Sequence, residues 1–194
     1  MANTNAPFGF SQYRGTGSAP TYEQVPMLIA STNATPIFFG DAVVPVTGSA
    51  TGYIKQATAS TVALAGIFIG CKYLSIAMKR TVWSNYWPGS DASGDVEAYV
   101  INDPNMQFLV QAGGTAVTAS LIGQSIQLNV GTGSTATGRS GMYVESPATT
   151  ATLPFRVVSV LPLPYSDPTS AFNQVVVQFN NSLSRASGAQ TGIS

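Results

Sequence analysis

The sequence predicts an all-β protein: an antiparallel β-sandwich or barrel, jelly-roll-like, with an extended N-terminal arm and a C-terminal tail. Three observations carry that expectation. First, Val (18), Ile (10) and Thr (20) supply 48 β-branched residues, against 16 from the helix-favouring Leu (10), Glu (3) and Lys (3), and branching at Cβ suits the pleated sheet better than the helix. Second, short apolar or alternating runs recur between clusters of Gly, Pro, Asn and Asp, the spacing of a sandwich or barrel. Third, the two ends are small, polar and nearly uncharged, unlike the middle.

Taken in order, residues 1–20 read as an arm. They carry Arg14 as their one charge and three aromatics, Phe8, Phe10 and Tyr13, with nothing local to pack on. Burial against a neighbouring chain would stabilise each aromatic by roughly 1.5–3 kcal/mol, so these four residues are expected at an interface. Residues 21–180 form the β-rich domain, with strands expected at 24–30, 42–46, 53–56, 62–73, 96–102, 106–111, 125–130, 141–145, 153–163 and 174–179. Segment 115–122, where Ala, Leu and Ile cluster, suits a helical turn. Residues 181–194 read as a tail that an isolated monomer would leave disordered.

Composition narrows the function. Lys+Arg (8) balance Asp+Glu (8), and only 8% of residues are charged, against roughly 25% in a typical soluble domain. Phosphate neutralisation needs clustered cations, so no nucleic-acid partner is expected. Histidine is absent, removing the usual general base and zinc ligand. The single cysteine, Cys71, has no partner for an internal disulfide and no imidazole to activate it, so it reads as a small buried apolar residue. The start lacks a basic leader and an apolar stretch, and TVALAGIFIGC is about half the length of a membrane helix. A soluble protein made in a cytoplasm, without cofactor or metal, is the expectation.

Four motifs bear on chemistry. GSTATGRS at 133–140 approaches a phosphate loop, with Arg139 in place of lysine, but a strand rather than a helix is expected to follow, so a loop between strands is the better reading. DASGD at 91–95 lacks the full calcium-loop spacing and reads as a solvated hairpin turn. Asp95, Glu97 and Asp103 recur closely enough to suggest a glycosidase pair, yet no sugar groove accompanies them in the sequence. SNYWPGS at 84–90, just after Trp83, is the densest aromatic stretch. Strand alternation puts Trp83 and Ser84 on opposite faces, and the expectation is Trp83 in the core with Tyr86 or Trp87 anchoring a partner.

In their order along the chain, GIFIGC (66–71), YWPG (86–89), AYVINDPN (98–105), FLVQ (108–111), GSTATGRSGMYVE (133–145), LPFRVVSVL (153–161) and NQVVVQFNN (173–181) resemble the capsid decoration, or cement, proteins of tailed bacteriophages; so does the opening MANTNAPFGF. The resemblance implies a structural protein made in the host bacterial cytoplasm and bound to the outer capsid surface. There it would staple adjacent copies of the major capsid protein and associate with itself as a homodimer or homotrimer. A carbohydrate- or receptor-binding β-module, with Trp83, Tyr86 and Trp87 stacking on sugar, is the alternative expectation.

Overall fold

The computed structural model describes residues 2–15, 24–48 and 52–184. Among them are twelve strands: β1 Ser11–Arg14, β2 Val25–Ile29, β3 Ala42–Pro45, β4 Ile54–Gln56, β5 Gly66–Leu74, β6 Thr81–Ser84, β7 Val96–Ile101, β8 Gln107–Gln111, β9 Ser125–Asn129, β10 Tyr143–Ala148, β11 Phe155–Val160 and β12 Gln174–Phe179. The only helical element among these residues is a 3₁₀ turn at Ala119–Leu121, inside the segment expected to turn. The expected tail beyond residue 184 lies outside the described residues, as does the end of the expected arm from residue 16.

The strands form two antiparallel sheets packed as a β-sandwich. Sheet A runs β1-β8-β12-β11-β9-β10 and sheet B runs β2-β7-β5-β3-β4, with β6 paired to the far end of β5. Both sheets curl. In sheet B the two end strands nearly meet, with Leu28 of β2 bridging Tyr53 ahead of β4, and in sheet A the edge strand β10 reaches, through Val144, Ala112 just beyond β8, the strand next to the edge strand β1. Such closure leaves fewer open edges for unwanted pairing.

Alternation sorts the side chains into two cores. Val110, Leu128, Val144, Phe155, Val157, Val175, Val177 and Phe179 line the inside of sheet A, joined by Ala42, Ile67 and Ile101 from sheet B. Phe68, Cys71, Tyr73, Val96, Ala98 and Val100 line the inside of sheet B with Ile29, Val43 and Ile54. On β7, therefore, residues 96, 98 and 100 face sheet B's own core, whereas Ile101 turns outward to meet sheet A. Glu97 and Tyr99 share Ile101's face, and both are only partly covered. This outward face of sheet B overhangs its contact with sheet A.

The N-terminal segment departs from the expectation of an arm with nothing local to pack on. β1 pairs with β8, and Phe10 is buried in sheet A's core, stacked on Phe155 (centroids 4.4 Å apart) and edge-on to Phe108 (6.5 Å). Gly9 permits this entry. Its backbone has φ +76°, and a Cβ there would lie 2.4 Å from Cβ of Ser140, so only glycine fits without displacing neighbours. The missing local partners were supplied by strands a hundred residues away, which composition cannot reveal.

Candidate functional site

A groove runs along the overhanging face of sheet B to the angle where β1 of sheet A meets it. One end, about 590 Å³, is lined by Gln24, Ile69, Gly70, Cys71, Trp83, Ser84, Asn85 and Tyr99. The other, about 240 Å³, is lined by Phe10, Gln12, Gln24, Phe39, Ile69, Tyr99 and Ile101. Gln24, Ile69 and Tyr99 belong to both, so the two depressions adjoin. None of the described lining residues carries a charged side chain.

The sheet register builds the groove wall. On β5, Lys72 pairs with Trp83 of β6 on one side and with Glu97 of β7 on the other, while Gly70 pairs with Tyr99. Trp83 and Tyr99 stack in parallel with centroids 5.8 Å apart, and Lys72 Nζ stands 5.1 Å from the Trp83 ring centroid. Lys72 Nζ also lies 3.6 Å from Glu97 Oε2, and the Tyr99 hydroxyl donates to Glu97 Oε1 at 3.2 Å. Partial desolvation, and after it the Glu97 charge, holds the Tyr99 hydroxyl above its ordinary pKa. Cys71 belongs to the wall but turns into the core. Burial pushes its thiol up to about 12, so it is a poor nucleophile at neutral pH.

The aromatic turn reverses the expected faces. Trp87 is fully buried and Trp83 is 67% exposed. The Trp87 backbone exchanges hydrogen bonds with Ile37 at 2.7 and 3.0 Å, its indole donates to the Asn33 carbonyl at 3.1 Å, and its ring meets Tyr73 edge-on at 5.1 Å. Val82, not Trp83, packs toward sheet B's core. Alternation split Trp83 from its neighbours correctly, but which side is covered depends on where sheet A ends. Tyr86 is half-buried and stacks on Phe38 at 5.7 Å. Of the three rings expected to meet a sugar, only Trp83 stands open, and its companion is Tyr99.

A second concavity, about 460 Å³, lies where residues 2–8 cross the loop 163–172, and Phe8, Gln111, Leu163, Pro164, Tyr165 and Phe172 are among its lining residues. Two amides staple the N-terminal segment there. Asn3 Nδ2 donates to the carbonyls of Asp167 (2.9 Å) and Ala171 (3.1 Å), while its Oδ1 accepts from the Asp167 amide (2.9 Å). Gln111 Nε2 donates to the Thr4 carbonyl (2.8 Å) and its Oε1 accepts from the Ala6 amide (2.9 Å). Leu163 and Tyr165 are 64% and 75% exposed. Phe8 is half-buried, and Tyr13 and Arg14 are exposed on β1, with the guanidinium 5.8 Å from the Tyr13 ring centroid.

The remaining motifs are held locally. Loop 133–140 closes on itself through Ser134 and Arg139, and its Thr137 carbonyl accepts from Asn85 Nδ2 at 3.0 Å. Asp91 braces the β5–β6 hairpin, accepting from the Ala77 amide (3.0 Å) and the Ser75 hydroxyl (2.7 Å). Asp95 accepts from the Tyr53 hydroxyl, and Asp103 accepts from the Asn105 amide. Among the described residues there is no group of three His, Cys, Asp or Glu placed to hold a metal ion, and no helix is long and apolar enough to cross a membrane.

Fold and surface together define an all-β sandwich with an aromatic groove, whose described lining residues carry no charge, and a separate apolar-rimmed cavity. Compared with known proteins, the chain matches no family model, no curated protein and no solved structure.

Proposed function

We propose that the protein is a structural component of a virion that binds the outer surface of a phage capsid, where it stabilises contacts between major capsid proteins and meets further copies of itself. The observation that carries this reading is the cavity at the N-terminal segment. Its rim presents Leu163 and Tyr165, the latter the most exposed large apolar side chain among the described residues, and the floor is held by the Asn3 and Gln111 staples. Exposed apolar side chains around a preformed concavity suit a protein interface, because water is displaced without first ordering a loop. The low charge of the chain fits contacts made from apolar, hydroxyl and amide groups. Many weak copies of such a contact, repeated over a lattice, add up through multivalency.

Co-sedimentation with empty phage heads tests the reading. The double substitution Leu163→Ser, Tyr165→Ser should leave the melting curve in place and lower shell occupancy by roughly tenfold or more. Wild-type binding should survive about 1 M salt, since few ion pairs are available to screen. Undiminished binding by the double variant would place attachment elsewhere, and no binding by the wild type would remove the proposal.

A further inference from the structure

We infer that the groove between Trp83 and β1 is a binding site for a neutral oligosaccharide. The site is separate from the cavity assigned to shell attachment, since the two share no lining residue. Three features point to this ligand class. The first is the aromatic wall. Trp83 is 67% exposed, yet its ring is held by the parallel stack on Tyr99 and by the Lys72 ammonium. An ordered, open indole offers an apolar face to the C–H side of a pyranose with little further ordering. Gly70, paired with Tyr99 on the strand between the two rings, has no side chain to obstruct an approaching ligand.

The second feature is the polar complement. Gln24, Ser84 and Asn85 lie along the groove, with Asn85 oriented by its bond to the Thr137 carbonyl, and amide and hydroxyl groups both donate and accept, matching a sugar hydroxyl that does the same. The third is charge. Among the described lining residues there is none; Lys72 and Glu97, beside Trp83, pair with each other, and the Arg139 guanidinium is engaged on the ring of Phe39. A phosphate, a sulfated glycan or a sialylated chain would find no cation among the described lining residues. A neutral hexose chain loses nothing by that lack. Two adjoining depressions favour several sugar units over one.

The test uses the full chain, with titrations of cello-, malto-, laminari-, manno- and N-acetylchito-hexaose against oligogalacturonate and sialyllactose as charged counterparts. Calorimetry and tryptophan emission are read together. Trp87 is buried, so a ligand-dependent emission change reports on Trp83. At least one neutral hexaose should bind with micromolar-to-millimolar affinity, and Trp83→Ala should weaken it roughly tenfold or more with an unchanged melting curve. Gln24→Ala, outside every strand, should weaken it by a smaller factor, and Tyr165→Ala should leave it unaltered. Failure of every neutral hexaose to bind, tighter binding of the charged glycans, or full affinity in a folded Trp83→Ala protein would each overturn the inference. None of these outcomes touches the shell-attachment reading, which Leu163 and Tyr165 test.

Discussion

The indole of Trp83 and the phenol of Tyr99 lie parallel, 1° apart in plane and 5.8 Å between centroids, although β6 and β7 never pair and instead flank β5. The contact crosses a whole strand, and Gly70 pairs with Tyr99 on that strand. Its consequence is an aromatic surface fixed by the sheet rather than by a loop. That rigidity separates the roles of the two tryptophans and sets the first expectation.

Trp87→Ala should lower the stability of the isolated protein by about 3–5 kcal/mol, the cost of emptying a buried aromatic site. Trp83→Ala should cost about 1 kcal/mol or less, chiefly the lost stacking. A pair of urea denaturation curves gives both numbers. Equal losses would mean that Trp83 is part of the core after all.

Phe10→Ala should also cost about 3–5 kcal/mol, because its ring sits between Phe108 and Phe155. Removal of residues 1–10 should destabilise the protein at least as much, whereas a detachable arm would be lost without effect. Thermal melting of the two variants distinguishes these outcomes.

Asp41 is buried and accepts from the Phe38 amide at 2.8 Å and from Gln56 Nε2 at 2.7 Å. Burial raises its pKa above the ordinary value of 3.8, and the hydrogen bonds from Phe38, Ser140 and Gln56 offset only part of that. A folded pKa above the unfolded one gives stability that is fully present below the unfolded value and is lost as pH rises through the folded value. Asp41→Asn cannot ionise, so it should gain stability relative to the wild type as pH rises above the ordinary carboxylate value of about 4. Denaturation curves across that range should show the two proteins diverging as pH rises, and parallel curves would contradict the buried charge.

Asp91 has the opposite sign. Hydrogen bonds from the Ala77 amide and then from the Ser75 hydroxyl hold its carboxyl below the ordinary value, so its contribution is present above the unfolded pKa and is lost as pH falls through the folded one. The hairpin tip that it braces exposes Leu74, Ile76 and Met78. Asp91→Ala should speed hydrogen exchange at the Ala77 amide while leaving β5 protected. Unchanged exchange at Ala77 would show that the turn holds without the carboxylate.

Much of the sheet was legible because alternation is a local signal. Val96, Ala98 and Val100 point inward by the period-two rule, and the same rule leaves Glu97 and Tyr99 outside. Tyr99 could thus have been found as an exposed aromatic in the sequence. Its stacking on Trp83 could not, since that needs the order β6-β5-β7, which depends on register between distant segments. The exposure of Trp83 is hidden for the same reason, because periodicity separates two faces without saying which one is covered. The cavity at the N-terminal segment was hidden further still. Asn3 and Gln111 look like ordinary surface amides until residues 163–172 fold over them, and the four candidates in the first twenty residues divided between core (Phe10), cavity (Phe8) and exposed strand (Tyr13, Arg14) on distances that only the fold provides.

Electron microscopy of empty phage heads incubated with the purified protein, beside heads incubated with the Leu163→Ser, Tyr165→Ser variant, tests the shell-attachment proposal most directly. The expected result is regular peripheral density on the outer shell surface with the wild-type protein and bare shells with the variant. Bare shells in both samples at saturating protein would contradict it.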